Sequence, residues 1–107
     1  MIRSLDLDVA IYRDRAQVTH RGSGTFIDMR AEFAFSSDAR LVEHARYFED
    51  TLVRAMRHIL AEGGFSLKEP IAHVVRFDGN LDDMQKSLVE TALREIGFHE
   101  VIFELDA

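Results

Sequence analysis

Leu5, Leu7, Val9 and Ile11 alternate with Asp6, Asp8, Ala10 and Tyr12, the period-two pattern of a strand with one buried and one wet face. Arg13-Asp14-Arg15 is short and polar, and predicts a hairpin turn into a second strand over Ala16 to Arg21. Gly22-Ser23-Gly24 turns the chain again, glycine supplying backbone angles that other residues avoid. The third strand is the cleanest: Ile27, Met29, Ala31, Phe33 and Phe35 fall on one face, Asp28, Arg30 and Glu32 on the other. Strands joined by such tight turns predict an antiparallel meander.

The period then changes. Ser36-Ser37-Asp38 offers helix caps, and Leu41, Ala45, Phe48, Leu52, Met56 and Ile59 recur at three- and four-residue steps until Gly63-Gly64. This predicts a helix starting near either Asp38 or Tyr47. Pro70 precedes a fourth strand, Ile71 to Phe77. Asp82 and Asp83 open a second helix with Met84, Leu88, Ala92 and Ile96 in one stripe, stopped by Gly97, and Val101 to Leu105 is the last strand. The predicted order is βββαβαβ.

Parallel crossovers are right-handed in nearly all proteins. If the fourth strand pairs beside the first and the fifth follows it, both helices lie on one face of a mixed five-stranded sheet. The other face would carry Asp6, Asp8, Gln17, Thr19, Arg21, Asp28, Arg30, Glu32, Arg76 and Glu104, with Tyr12, Val74 and Ile102 interrupting it. A two-layer α/β sandwich with one polar sheet face is expected.

Composition narrows the class. The 107 residues, 47% of them hydrophobic, suit one domain over residues 1–107 with a modest core. Thirteen basic against nineteen acidic residues give a net charge of −6. That charge argues against nucleic acid as the main partner, since such affinity comes largely from Lys and Arg releasing counterions. No cysteine is present, so disulfides and thiolate metal sites are excluded. The N-terminal MIRSLDLDVA lacks the apolar core of a signal peptide, and no run reaches membrane-spanning length. A cytoplasmic protein without a membrane segment is expected.

The βββαβαβ order is that of the ribonuclease H-like fold, on which actin-like ATPases build their domains. Leu41-Val42, then Glu49-Asp50-Thr51-Leu52 leading to Met56-Arg57-His58-Ile59, resembles the helix of the first subdomain of MreB-type bacterial actins. Phe65, Pro70, Ala72 to Phe77 and Gly79 match that family's Phe, Pro, strand and phosphate-loop glycine. Ala92 to Gly97 and Glu100-Val101-Ile102-Phe103 resemble its helix end and following strand. The likeness covers Leu41 to Leu105; the first forty residues share only topology. It implies a reduced relative of that subdomain, with a role in assembly or cell shape. The departures are as informative. The family's Asp-x-Gly-Thr phosphate loop is replaced by Tyr12-Arg13-Asp14-Arg15, without glycine, serine or threonine. The chain offers one such subdomain, whereas the family clamps its nucleotide between two halves. No cofactor and no ATPase activity are therefore expected. In the family a further helix covers the polar sheet face, and this chain shows none.

The stretch Val74 to Leu88, VVRFDGNLDDMQKSL, is a strand-to-helix corner, where ligands often sit in α/β proteins. Asp82 and Asp83 would already favour the positive end of its helix and would repel phosphate. Gly79 and Asn80 read as turn residues. Nucleases of the ribonuclease H-like fold gather carboxylates for Mg²⁺, and Asp8 or Asp6, Glu49 or Glu43, and Asp78 are candidates, Asp8, Glu49 and Asp78 being the alternative catalytic set. Nineteen acidic residues make such a triple easy to assemble by chance, and Arg46 can pair with Glu49 on a helix surface. The histidines have no H-x-H or H-x-x-x-H spacing for zinc; His73, among Ile71, Val75 and Phe77, reads as a half-buried core histidine. The expected function is a non-catalytic binding or assembly module, with a protein partner or a homodimer engaged through the open face or the third strand. Tyr12, Asp28, Arg30 and Glu32 are its candidate interaction surface.

Overall fold

The computed structural model describes residues 3–105. Strands β1 (Arg3–Tyr12), β2 (Arg15–His20) and β3 (Phe26–Arg30) form the expected meander, followed by α1 (Ala45–Leu60), β4 (Phe65–Phe77), α2 (Asp83–Glu95) and β5 (Glu100–Phe103). The sheet order is β3-β2-β1-β4-β5, with β1 antiparallel to β2 and parallel to β4, and β4 parallel to β5. This is the ribonuclease H-like arrangement that the residue pattern predicts, and α1 and α2 pack against each other on one face.

Leu5, Leu7, Val9 and Ile11 of β1, Ala16 and Val18 of β2, and Ala72 and Val74 of β4 point to that face. They meet Phe48, Leu52, Ala55 and Ile59 of α1 and Val89, Ala92 and Leu93 of α2 in one core. Burial of this apolar surface is the main force holding the two layers together.

The fourth strand departs from expectation. Val9 pairs with Val74 but Ala10 pairs with Arg76, so Val75 is an extra residue in a β-bulge. A regular alternation would put Val74 on the same side as Arg76, among the open-face residues. The bulge changes the phase instead: Val74 is fully buried under the helices, and His73 faces the open side with Arg76. Pro70 falls inside β4, by a second irregularity where Ser4 pairs with Ser66 and Asp6 with Ile71. Bulges are where a sheet tolerates proline.

The third strand is shorter than its alternation predicts. It ends at Arg30, Glu32 lies beyond it, and Phe33 is exposed rather than in the core. The cause is a lock between the first hairpin and the following segment. Ser36 N–H donates to Asp14 Oδ1 (2.8 Å), and Asp14 N–H donates to Ser36 Oγ (3.1 Å). This draws residues 31–44 across the end of the sheet and carries Phe35 into the core, edge-on to Phe48 at 5.3 Å. Ser36 is thereby committed to the hairpin and does not cap α1. That helix starts at Ala45, between the two expected starts, after His44, which makes no side-chain cap.

Gln85 of α2 fixes the same segment from the other side. Its amide accepts from Val42 N–H (3.0 Å) and donates to Val42 C=O (2.7 Å), deep in the protein at 2% exposure. Two backbone groups that would otherwise lie buried without partners are satisfied by one side chain.

Candidate functional site

Both helices lie on one face of the sheet, and on the second face Asp6, Asp8, Tyr12, Gln17 and Thr19 are half-buried and Arg21 is exposed. Register places Thr19, Asp8, His73 and Ile102 in one row across β2, β1, β4 and β5. Arg21, one residue beyond β2, spans this row. Its Nε donates to Asp8 Oδ1 at 2.5 Å and its Nη2 donates to Glu104. Glu104, one residue beyond β5, also accepts from His73 Nδ1 at 3.0 Å. Backbone bonds from Arg21 N–H to Asp6 C=O (3.0 Å) and from Glu104 N–H to Val74 C=O (2.9 Å) set both side chains over the sheet.

The bond from Arg21, reinforced by His73, holds the Glu104 carboxyl below its ordinary range. Asp8 and then Glu104 raise Arg21 in turn. A carboxylate already bonded to a guanidinium is a poor metal ligand, because the cation must be displaced first. The network therefore links β2 to β5 across the polar face.

The other end of the face is aromatic and cationic. Arg15 lies over the Tyr12 ring with its guanidinium carbon 4.6 Å from the centroid, and Arg76 approaches at 5.6 Å. Such stacking orders both partners. Arg15 also bonds Asp28 at 3.3 Å, and Arg76 pairs loosely with Asp78 at 3.7 Å. Arg30 is exposed opposite Arg15. Of the expected surface, Tyr12, Asp28 and Arg30 thus lie close together, while Glu32 sits past the strand. Phe26, 52% exposed on the same face, stands opposite Thr19 and so continues the Asp8 row to the β3 edge, at the Arg21 end of the surface. Its alternation with Asp28 and Arg30 was the sequence signal for it.

The alternative catalytic set is not assembled. Asp8 is on the open face, Glu49 is on α1 across the sheet, and Asp78 is exposed beside Arg76. Asp6 shares the open face with Asp8, and Glu43 pairs with Arg40 at 3.4 Å in the segment before α1. Among the described residues no group of three or more His, Asp or Glu side chains is placed to hold a metal ion.

The strand-to-helix corner is a packed joint. Asp82 caps α2, its Oδ1 accepting from Gln85 N–H at 2.8 Å, and Asp83 opens the first turn. A Cβ placed on Gly79 would sit 3.1 Å from Leu41 Cβ. Glycine lets the 31–44 segment close on this corner. The first hairpin, where an actin-like ATPase has its phosphate loop, is occupied by the Asp14–Ser36 pair, with Asp14 at φ 52°. Asp tolerates that left-handed angle better than most residues.

A further contact escaped the sequence pattern. His20 is buried on the helix side, and its Nδ1 lies 2.8 Å from Ser23 Oγ and accepts from Ser23 N–H at 3.1 Å. Ser23 Oγ in turn meets Thr25 Oγ1 (2.8 Å), which donates to Glu62 (2.9 Å). With Nδ1 already accepting from the backbone of its own turn, this arrangement locks the second hairpin to the end of α1.

No helix among the described residues is long and apolar enough to cross a membrane. The chain matches no protein-family model, no curated protein and no solved structure.

Proposed function

We propose that this protein is a non-catalytic protein-binding or assembly module, a reduced relative of the first subdomain of MreB-type bacterial actins acting in the cytoplasm. Its working surface is the open sheet face. The observation that carries this proposal is the pre-ordered state of that face. Arg21 ties Asp8 to Glu104, two arginines hold Tyr12, and Phe26 stands exposed at the edge of the row that holds Thr19 and Asp8. Side chains fixed before binding lose little freedom when a partner arrives, and aromatic residues within polar rims are favoured contacts. The packed Asp14–Ser36 hairpin supports the non-catalytic half of the proposal, because it leaves no glycine-lined loop for a phosphate.

The test is capture from native extract with the immobilised protein and with its Tyr12→Asp/Phe26→Asp variant, both checked for folding. The wild type should retain a specific protein that the variant loses. ATP with Mg²⁺ should leave the melting temperature unchanged, since a ligand that binds only the folded state raises it. A variant that keeps every partner, or a reproducible ATP-dependent rise, would overturn the proposal.

A further inference from the structure

The free edge of β3 has a directional backbone. Thr25 C=O accepts from His20 N–H and Ala31 N–H donates to Asp14 C=O, both at 2.8 Å. An antiparallel ladder repeats its bonded pairs every second residue, so Ile27 and Met29 also bond inward to β2. Phe26, Asp28 and Arg30 therefore aim their N–H and C=O groups at the open edge. Of these, the Arg30 carbonyl is covered: Arg54 Nη2 of α1 donates to it at 3.0 Å. Arg54 is held in place by Asp50 at 3.2 Å and also reaches Met29 Sδ at 3.4 Å.

The side chains on this edge are self-complementary in one register. Two antiparallel copies of β3 centred on Asp28 would set Asp28 against itself and Phe26 against Arg30. Shifting the centre to Met29 sets Asp28 of each copy opposite Arg30 of the other with the edge N–H and C=O groups of both paired, and moves Phe26 out of the paired stretch. Opposite charges directly across an antiparallel pair stabilise it, and like charges destabilise it. Phe26, a large exposed apolar side chain, lies on this edge strand, and Phe33, three residues past its end, is exposed as well and meets Tyr47 of α1 with ring centroids 5.4 Å apart. The other edge, β5, has only four residues.

We infer that a second copy of this chain pairs antiparallel with β3, centred on Met29, with reciprocal Asp28–Arg30 ion pairs and with Arg54 as the side chain that must leave the edge first. This inference rests on the assembly reading and specifies one partner for it. Five residues of strand bury less surface than a permanent dimer needs, so the association is concentration-dependent. The charged edge also refuses most other strands, which makes the contact selective for its own kind.

Light scattering over a concentration series, with circular dichroism to confirm folding, tests it through charge exchange. The wild-type mass should rise toward the dimer, and Arg54→Ala should shift that rise to lower concentration. Asp28→Arg sets arginine against arginine, and Arg30→Asp sets aspartate against aspartate, so each variant alone should stay monomeric. Their equimolar mixture should regain the dimer mass. In the mixed pair the arginine introduced in one variant faces the aspartate introduced in the other, and the unaltered Arg30 faces the unaltered Asp28. Single variants that associate as the wild type does would overturn the β3 register while leaving assembly through another surface intact. So would a mixture that stays monomeric. A wild type and an Arg54→Ala variant that both remain monomeric at the highest soluble concentration would overturn self-pairing altogether, and the open-face capture experiment would then decide the assembly reading independently.

Discussion

Gln85 and Val42 lie 43 residues apart in sequence, yet one amide side chain satisfies both backbone groups of that valine. Gln85→Ala leaves a buried N–H and a buried C=O without partners, and each such group costs about 1–3 kcal/mol. A loss of about 2–6 kcal/mol is expected in denaturant unfolding, against at most about 1 kcal/mol for alanine at exposed Lys86, whose ammonium lies 5.1 Å from the Phe103 ring. Gly79→Ala is a smaller test of the same joint: Leu41 must yield by a few tenths of an ångström, at a cost of about 1 kcal/mol or more. Glu104 sets a pH dependence. Its carboxyl is lowered in the folded protein by Arg21 and then His73, so the unfolded chain takes up the proton first as pH falls. The stabilisation is therefore present above the ordinary carboxylate range and is lost as pH drops through the lowered folded value. Melting temperature should fall in acid more steeply for the wild type than for Glu104→Gln, and equal slopes would remove Glu104 from the account. None of these partnerships is visible in the sequence, because a side-chain bond across tens of residues has no periodicity.

Elements were more legible. Alternation in β1 expresses burial directly, and the Asp82 cap announces the start of α2 where the structure places it. The buried stripe of α2, however, is Gln85, Val89, Ala92 and Leu93 rather than Met84, Leu88, Ala92 and Ile96: Gln85 turns inward to bond Val42, and Met84 is left 58% exposed. Asp82→Ala should cost about 0.5–2 kcal/mol in thermal or denaturant unfolding, and a zero change would deny the cap its role. Boundaries failed where tertiary bonds compete with local pattern. Ile27 to Phe35 alternates without a break, but the Asp14–Ser36 lock ends β3 at Arg30 and turns Phe33 outward. In β4 the pattern reads as one phase because Ile71, Val74, Val75 and Phe77 are all apolar. A bulge in an apolar run leaves no mark on hydropathy, so the face of His73 and Val74 came out reversed while Arg76 and Phe77 came out correctly.

For the whole molecule, topology followed from element order, since handedness restricts where parallel crossovers can go. The open face was legible in outline for the same reason. The Arg21 network was not, because Arg21 and Glu104 lie 83 residues apart and meet only once β1 and β4 are paired between them. The bulge that reversed part of the reading has a consequence for the whole right half of the sheet. Deleting one residue inside a strand normally turns every later side chain to the wrong face. Val75 is an exception by construction, because it has no partner of its own on β1. Without it, Val74, Arg76 and Phe77 follow one another opposite Val9, Ala10 and Ile11 in regular alternation, each still on its present side. A chain shortened by Val75 should therefore fold and unfold cooperatively, whereas one shortened by Ala72 should not, since His73 would enter the helix-facing row. Length is thus a freer variable at this position than in the regularly paired run from Asp6 to Val9.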